Sequence, residues 1–128
     1  GQRGLGSARL GDLQDAADWG VQFVPGGELA RDGVARAVDL VAAKSDVIVC
    51  FDFDALDPSI MPAVIARTAG GLAYWQAVER LAGGASKSRI RGLIMTDFMA
   101  DRDIDGLGAS TAAQLLISTL GLVCRQRG

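Results

Sequence analysis

The run Asp46-Val47-Ile48-Val49-Cys50-Phe51 limits the folds open to this chain more than any other feature. It is largely β-branched and shows no alternation of polar and apolar positions. That pattern fits a strand buried on both faces, as in a parallel sheet, rather than a strand with one wetted face. Ile90 to Thr96 is a second strand of similar character. Helical spacing surrounds them. From Glu28 to Ala43, Val34, Ala37, Val38 and Val41 recur at three- and four-residue intervals, predicting one amphipathic helix. Leu72 to Leu81 carries Leu72, Trp75, Val78 and Leu81 on one side, with Gly83-Gly84 as its stop. Leu107 to Val123 reads as a longer helix with an apolar stripe of Ala112, Leu115, Leu116, Leu120 and Val123. Strands alternating with helices predict βαβ units, hence an α/β fold of three layers, α-β-α, around a mostly parallel sheet.

The first part of the chain is less regular. Gly1 to Ser7 is glycine-rich and has no apolar run, so the chain is expected to open in a loop, in mid-fold. Asp12 is a candidate N-cap for a short helix through Trp19 that stops at Gly20. Val21 to Val24 is a short strand candidate ended by Pro25-Gly26-Gly27.

At 128 residues the chain suits a single domain spanning 1-128. A net charge of −2 with scattered basic residues leaves no electrostatic footprint for nucleic acid. The apolar stretches are read as short of the ~20 residues of a membrane span, and no basic segment with an apolar core opens the chain. A soluble, cytoplasmic protein with no membrane partner is the expectation. Cys50 and Cys124, without metal-type spacing, read as two buried thiols in a reducing compartment. There is no histidine.

Chemistry concentrates in Phe51-Asp52-Phe53-Asp54-Ala55-Leu56-Asp57-Pro58, directly after the first strand. Were the backbone to stay extended there, Asp52 and Asp54 would share one face, with Phe51 and Phe53 on the other. Two neighbouring carboxylates repel, and a divalent cation with a preference for hard oxygen donors, Mg²⁺ or Mn²⁺, would relieve that repulsion. Open α/β sheets also place ligands at the carboxyl ends of their strands. Asp52 and Asp54 are therefore candidate metal ligands, whereas Asp57, before a proline, reads as a turn former.

The stretch DFDALDPSIMP, then seven residues, then Gly70-Gly71-Leu72, resembles the signature of the ureohydrolase (arginase and agmatinase) family. Gly1-Gln2-Arg3-Gly4 is similar to the family's Gly-x-Arg segment, and Asp97-Phe98 through Arg102-Asp103-Ile104-Asp105-Gly106 to its acidic segment near the C-terminus. These matches are collinear, cover nearly the whole chain, and look more agmatinase-like than animal-arginase-like. The resemblance implies the C-terminal portion of an arginase/deacetylase-like fold. It also implies a binuclear Mn²⁺ site that activates water against the guanidinium carbon of an agmatine-like substrate, releasing urea. Asp52 and Asp54 match a carboxylate pair of metal ligands. Asp97 stands where a glutamate usually pairs with the substrate guanidinium, and its carboxylate is one methylene shorter, about 1.5 Å in reach.

Ala69 and Ala100 replace prolines common in the family, and the loop Ala63 to Ala69 lacks its usual glycines. The resemblance assigns the remaining metal ligands, a histidine and an Asp-x-His-x-Asp cluster, to the first half of family members more than twice this length. The isolated chain is therefore expected to be inactive, as a truncated hydrolase awaiting an N-terminal half. The alternatives are a non-catalytic remnant serving as an oligomerisation or partner subunit, and a haloacid-dehalogenase-like Mg²⁺-dependent phosphatase, whose loop also reads strand then Asp-x-Asp. A half sheet with a bare edge favours association, with another copy or with a complementing chain.

Overall fold

A computed structural model describes residues 9–127, so Gly1 to Ser7, with the Gly-x-Arg match, lies outside the described residues. The elements are α1 (Leu10–Asp18), α2 (Gly26–Asp32), α3 (Ala35–Asp39), β1 (Asp46–Asp52), α4 (Tyr74–Lys87), β2 (Arg89–Thr96) and α5 (Leu107–Arg125). Short 3₁₀ turns occupy Phe53–Ala55 and Ala100–Arg102. The two strands pair in parallel across the α4 crossover, with Asp52 opposite Thr96 at their carboxyl ends. The α/β architecture with parallel strands is thus as the sequence predicts.

One core holds these elements together. Phe51 and Phe53 share it with Leu29 of α2, Ala37 of α3, Ala77 and Leu81 of α4, Leu115 of α5, and Leu56, Met61, Ala63 and Val64 of the loop after β1. Val49 and Met95 point to the same side. The opposite face is different: Ile48 is 67% exposed and Ile94 49% exposed. A strand buried on both faces, the sequence expectation for β1, is therefore corrected among the described residues. An unbroken apolar run reports the burial a strand is suited to, and cannot report whether a covering layer is at hand.

Three helices depart from their predicted bounds for identifiable reasons. The helix predicted over Glu28 to Ala43 is two helices, because Gly33 adopts φ 76° and breaks the backbone between α2 and α3. Gly83-Gly84 does not stop α4, which runs on to Lys87. A Cβ on Gly83 would come within 2.6 Å of the Val38 side chain, so this glycine lets α3 and α4 approach rather than ending a helix. Trp75, assigned by spacing to the buried side, is 70% exposed, while Ala77 is fully buried. On α5 the buried stripe is Gly108, Thr111, Leu115 and Thr119, leaving Leu116 and Leu120 exposed.

Near the start, Asp12 is not an N-cap. Arg9 holds that position, and Asp12 in the first turn reaches back to accept from the Arg9 N–H at 3.3 Å. No strand forms at 21–24 beyond the single bridge residue Pro25, which instead precedes α2. Both cysteines are free and exposed, correcting the buried reading: Cys50 falls on the open face of β1 and Cys124 near the solvent-side end of α5. One further point stands against the sequence reading: α5 is a 19-residue helix of mean hydropathy 1.6, long and apolar enough by length and composition to cross a membrane. Here it packs on α4, with Leu115 fully buried.

Candidate functional site

The three sequence-nominated carboxylates all fall at the carboxyl end of the parallel pair. Asp52 is the last residue of β1 and is exposed. Asp97 follows Thr96, the residue registered opposite Asp52, so these two acids sit on neighbouring chain ends. Asp54 lies between them in sequence space, in the 3₁₀ turn, with its Oδ1 buried from solvent.

The backbone premise behind the Asp52 and Asp54 pairing does not hold. The chain leaves the extended conformation at Phe53, so the two side chains do not alternate along one strand. Asp52 instead caps the turn, its Oδ1 accepting from the Asp54 N–H at 2.8 Å. An Asp at a strand end satisfies the first orphan amide of the following turn, which is the competing use of this residue type. Phe51 and Phe53 do turn inward together, edge to face at 5.9 Å, and Phe53 meets Phe98 at 6.1 Å. Phe98 thereby pins the residue after Asp97 to the residue after Asp52.

Asp57 is the turn former the sequence predicts. Its Oδ1 accepts from the Ser59 hydroxyl at 2.7 Å and the Ser59 N–H at 3.0 Å, and its Oδ2 from the Gly70 N–H at 3.2 Å. The Ser59 hydroxyl above all, with the Ser59, Gly70 and Gly71 amides, holds this carboxyl below its ordinary 3.8. The Gly-Gly-Leu segment is thereby explained. Gly70 sits at φ 81°, and a Cβ on Gly71 would lie 2.3 Å from the Leu56 backbone, because Leu56 and Leu72 bridge in parallel at that point.

The acidic C-terminal segment has a similar logic. Asp103 Oδ1 accepts from the N–H groups of Ile104 at 2.8 Å and Gly108 at 2.7 Å, and Oδ2 from Ala109 at 2.9 Å, so it serves the start of α5. The Ala109 amide first, with those of Gly108 and Ile104, keeps its carboxyl below the usual range. Gly108 has no room for a side chain, its Cβ position lying 2.5 Å from Ala63 Cβ.

Sequence reasoning missed how the two loops above the site are joined. Arg67 Nη2 donates to the Arg102 carbonyl at 2.6 Å and Arg102 Nη1 to the Ile65 carbonyl at 3.0 Å. No sequence signal could have found this, since every residue offers a carbonyl and the two segments are 35 residues apart. Along β1 itself, a groove of about 520 Å³ lined by Leu40, Val41, Val49, Cys50 and Leu81 ends at Asp52.

Comparison with known proteins decides the ancestry. The family model of the arginase family matches residues 1–121. The chain belongs to the arginase family. It is similar to an N(1)-aminopropylagmatine ureohydrolase of Thermus thermophilus, 32% identical over 127 residues, covering 99% of this chain and 43% of that protein. An agmatinase of Pyrococcus horikoshii is 26% identical over 123 residues, 95% of this chain and 42% of the agmatinase. The chain thus spans less than half the length of these relatives. Among solved structures, proclavaminate amidino hydrolase from Streptomyces clavuligerus superposes with a TM-score of 0.81 at 23% identity, over 88% of this chain and 39% of that one. The agmatine ureohydrolase of Thermoplasma volcanium does so at 0.75 and 21%, over 90% and 39%. These likenesses carry the fold, and the arginase-family α/β architecture follows from them. No observation favours the haloacid-dehalogenase-like alternative.

Proposed function

We propose that this arginase-family chain serves the hydrolysis of a guanidino compound, agmatine-like in preference to arginine, with release of urea. The observation that carries the reading is the placement of three acids, Asp52, Asp54 and Asp97, at the carboxyl end of the parallel strands of an arginase-family fold, where α/β sheets bind ligands. The similar proteins named for agmatine and aminopropylagmatine support the substrate class.

In this reading Asp52 and Asp54 are metal ligands and Asp97 receives the substrate guanidinium. Carboxylate oxygens suit Mn²⁺. Asp52 is exposed and its Oδ1 accepts from the Asp54 N–H, so that capping the turn and offering the second oxygen to a cation are compatible. Manganese, when bound, supplies charge neutralisation and lowers the pKa of water. The chain's own acids supply only one arm of such a site: among the described residues no group of three or more His, Cys, Asp or Glu side chains is placed to hold a metal. In this reading the isolated chain binds Mn²⁺ weakly and releases no urea, and an N-terminal half with the remaining ligands completes the centre.

The test is Mn²⁺ binding, read by isothermal titration and by Mn²⁺ electron paramagnetic resonance, on the wild type and on Asp52→Ala and Asp54→Ala. Each substitution is expected to lower the affinity by tenfold or more, roughly the loss of one oxygen ligand. Unchanged affinity in both variants ends the metal assignment. Urea production from agmatine by the purified chain alone, dependent on Mn²⁺, overturns the claim of inactivity.

An assembly role has its own observation. Ile48 and Ile94 on the open sheet face, and Leu116, Ile117 and Leu120 on α5, are exposed apolar side chains in two groups. Light scattering that finds a monomer at high concentration argues against self-association and leaves a complementing chain as the partner to seek.

A further inference from the structure

Asp97 holds φ 64°, a left-handed conformation that a residue other than glycine keeps only where its surroundings impose it. Three anchors surround it. Thr96, immediately before, is locked in the parallel ladder opposite Asp52. Phe98, immediately after, packs edge-on against buried Phe53. Met99 donates its N–H to the Ala63 carbonyl at 2.8 Å. The first two anchors fix where the segment starts and where its ring lies. The third depends on the loop 62–67 staying in place.

That loop is held by two guanidinium groups working in opposite directions. Arg67 Nε donates within its own loop to the Pro62 carbonyl at 2.7 Å, and its Nη2 crosses to the Arg102 carbonyl at 2.6 Å. Arg102 Nη1 crosses back to the Ile65 carbonyl at 3.0 Å. Neither group forms a salt bridge among the described residues, so both cations are directed to backbone carbonyls. The planar fork of arginine suits this use, because one side chain can fix two acceptors at a set angle. A turn of Ala100–Arg102 lies between Met99 and the clasp, its Arg102 N–H bonded to the Met99 carbonyl at 3.0 Å. Movement of loop 62–67 is thus transmitted to Met99 both directly, through Ala63, and through this turn.

We propose that Arg67, acting with Arg102, is a positioning residue that holds Asp97 in its left-handed conformation and so aims its carboxylate at the acidic end of the sheet. The substrate consequence rests on the guanidino-hydrolase reading of Asp97, while the conformational claim does not. Without the clasp the Met99 anchor loosens, and Asp97 relaxes to a negative φ that turns its side chain away. A guanidinium ligand then meets a carboxylate out of place, and small errors of placement are costly in such sites.

The experiment uses the full 128-residue chain, ¹⁵N- and ¹³C-labelled, as wild type and as Arg67→Met, which keeps the aliphatic bulk and removes the donors. Amide hydrogen exchange at Met99 is expected to accelerate about tenfold or more, and the Asp97 couplings and carbon shifts to leave the left-handed region. The amide of Leu115, in the core of α5, is expected to keep its rate. Equal acceleration at Leu115 would show a general structural role and overturn the proposal, as would an unchanged Asp97 conformation. Should Arg67→Met fail to fold, Arg102→Met removes only the return bond and is read in the same way. In the presence of Mn²⁺, agmatine titrated against the Asp97 amide is expected to require about tenfold more ligand in Arg67→Met, with Mn²⁺ broadening near Asp52 and Asp54 unaltered. An unaltered agmatine response in the variant overturns the positioning role. A wild type that never responds to agmatine, with the Met99 and Asp97 effects present, overturns the substrate consequence drawn for Asp97 in this chain and supports the clasp as a conformational device.

Discussion

Gly70 donates its amide hydrogen to the Asp57 carboxylate at 3.2 Å, across thirteen residues of loop. The bond ties the end of the acidic motif to the segment that leads into α4, and Ser59 completes the carboxylate's set of donors. Asp57 is thus a structural acid beside two proposed functional ones. Its partners are the Ser59 hydroxyl and amide close by and the Gly70 amide, which comes within reach only when the loop is closed.

Acid sensitivity follows from this bond and its counterpart at Asp103. Both carboxyls are held below their ordinary 3.8 in the folded chain by donors that the unfolded chain lacks. A depressed folded pKa means stability that is fully present above the unfolded value and lost as pH falls through the folded one. The urea midpoint is therefore expected to drop below about pH 4. The double variant Asp57→Asn, Asp103→Asn is expected to be less stable at neutral pH and to show a flatter acid limb. Parallel acid limbs for variant and wild type would remove these two groups from the account.

The adjacent glycines of α4 are expected to respond in opposite directions. Gly84 has nothing within 4 Å of a Cβ, so Gly84→Ala in the helix interior should stabilise by about 0.5–1 kcal/mol through backbone entropy. Gly83→Ala gains the same entropy and drives a methyl into Val38, an overpacking cost of about 1–3 kcal/mol that outweighs it. Adding Val38→Ala should recover part of the loss. Denaturant midpoints of the three variants check the order, and a stabilising Gly83→Ala would show that α3 and α4 do not pack as closely as described.

Gly71→Ala should be worse than Gly83→Ala. The clash at 2.3 Å is with the Leu56 backbone, which cannot rotate aside as a side chain can. A loss of about 3 kcal/mol or more is expected, the upper end of overpacking effects. A midpoint within error of wild type would mean that the Leu56–Leu72 bridge is absent in solution.

Both thiols should be reactive in the native state. Cys50 and Cys124 are exposed and free, so 5,5′-dithiobis(2-nitrobenzoic acid) is expected to modify both without denaturant. One silent thiol in the native protein and two in urea would place that cysteine under cover, as happens if an assembly partner sits on the open face of β1.

Much of the fold was legible from local pattern. The strand runs at 46–51 and 90–96 and the long C-terminal helix follow from β-branched composition and helical periodicity, which act over a few residues and are written in order along the chain. The motif from Asp52 to Leu72 was legible too, as was the structural role of Asp57 before a proline. Less legible was the corner itself. Alternation predicts a shared face for Asp52 and Asp54 only while the strand continues, and it ends at Asp52 because that carboxylate can satisfy the amide two residues on.

What the sequence alone determined is therefore the kind of fold, the order of its elements and the acids that lie at the strand ends, since these depend on propensity, spacing and near neighbours. Tertiary structure decided which glycines are contacts and which are stops, which face of α5 is buried, and how Asp97 is held. Each of those depends on atoms distant in sequence, such as Val38 against Gly83 or the Arg102 carbonyl against Arg67, whose meeting no local pattern encodes.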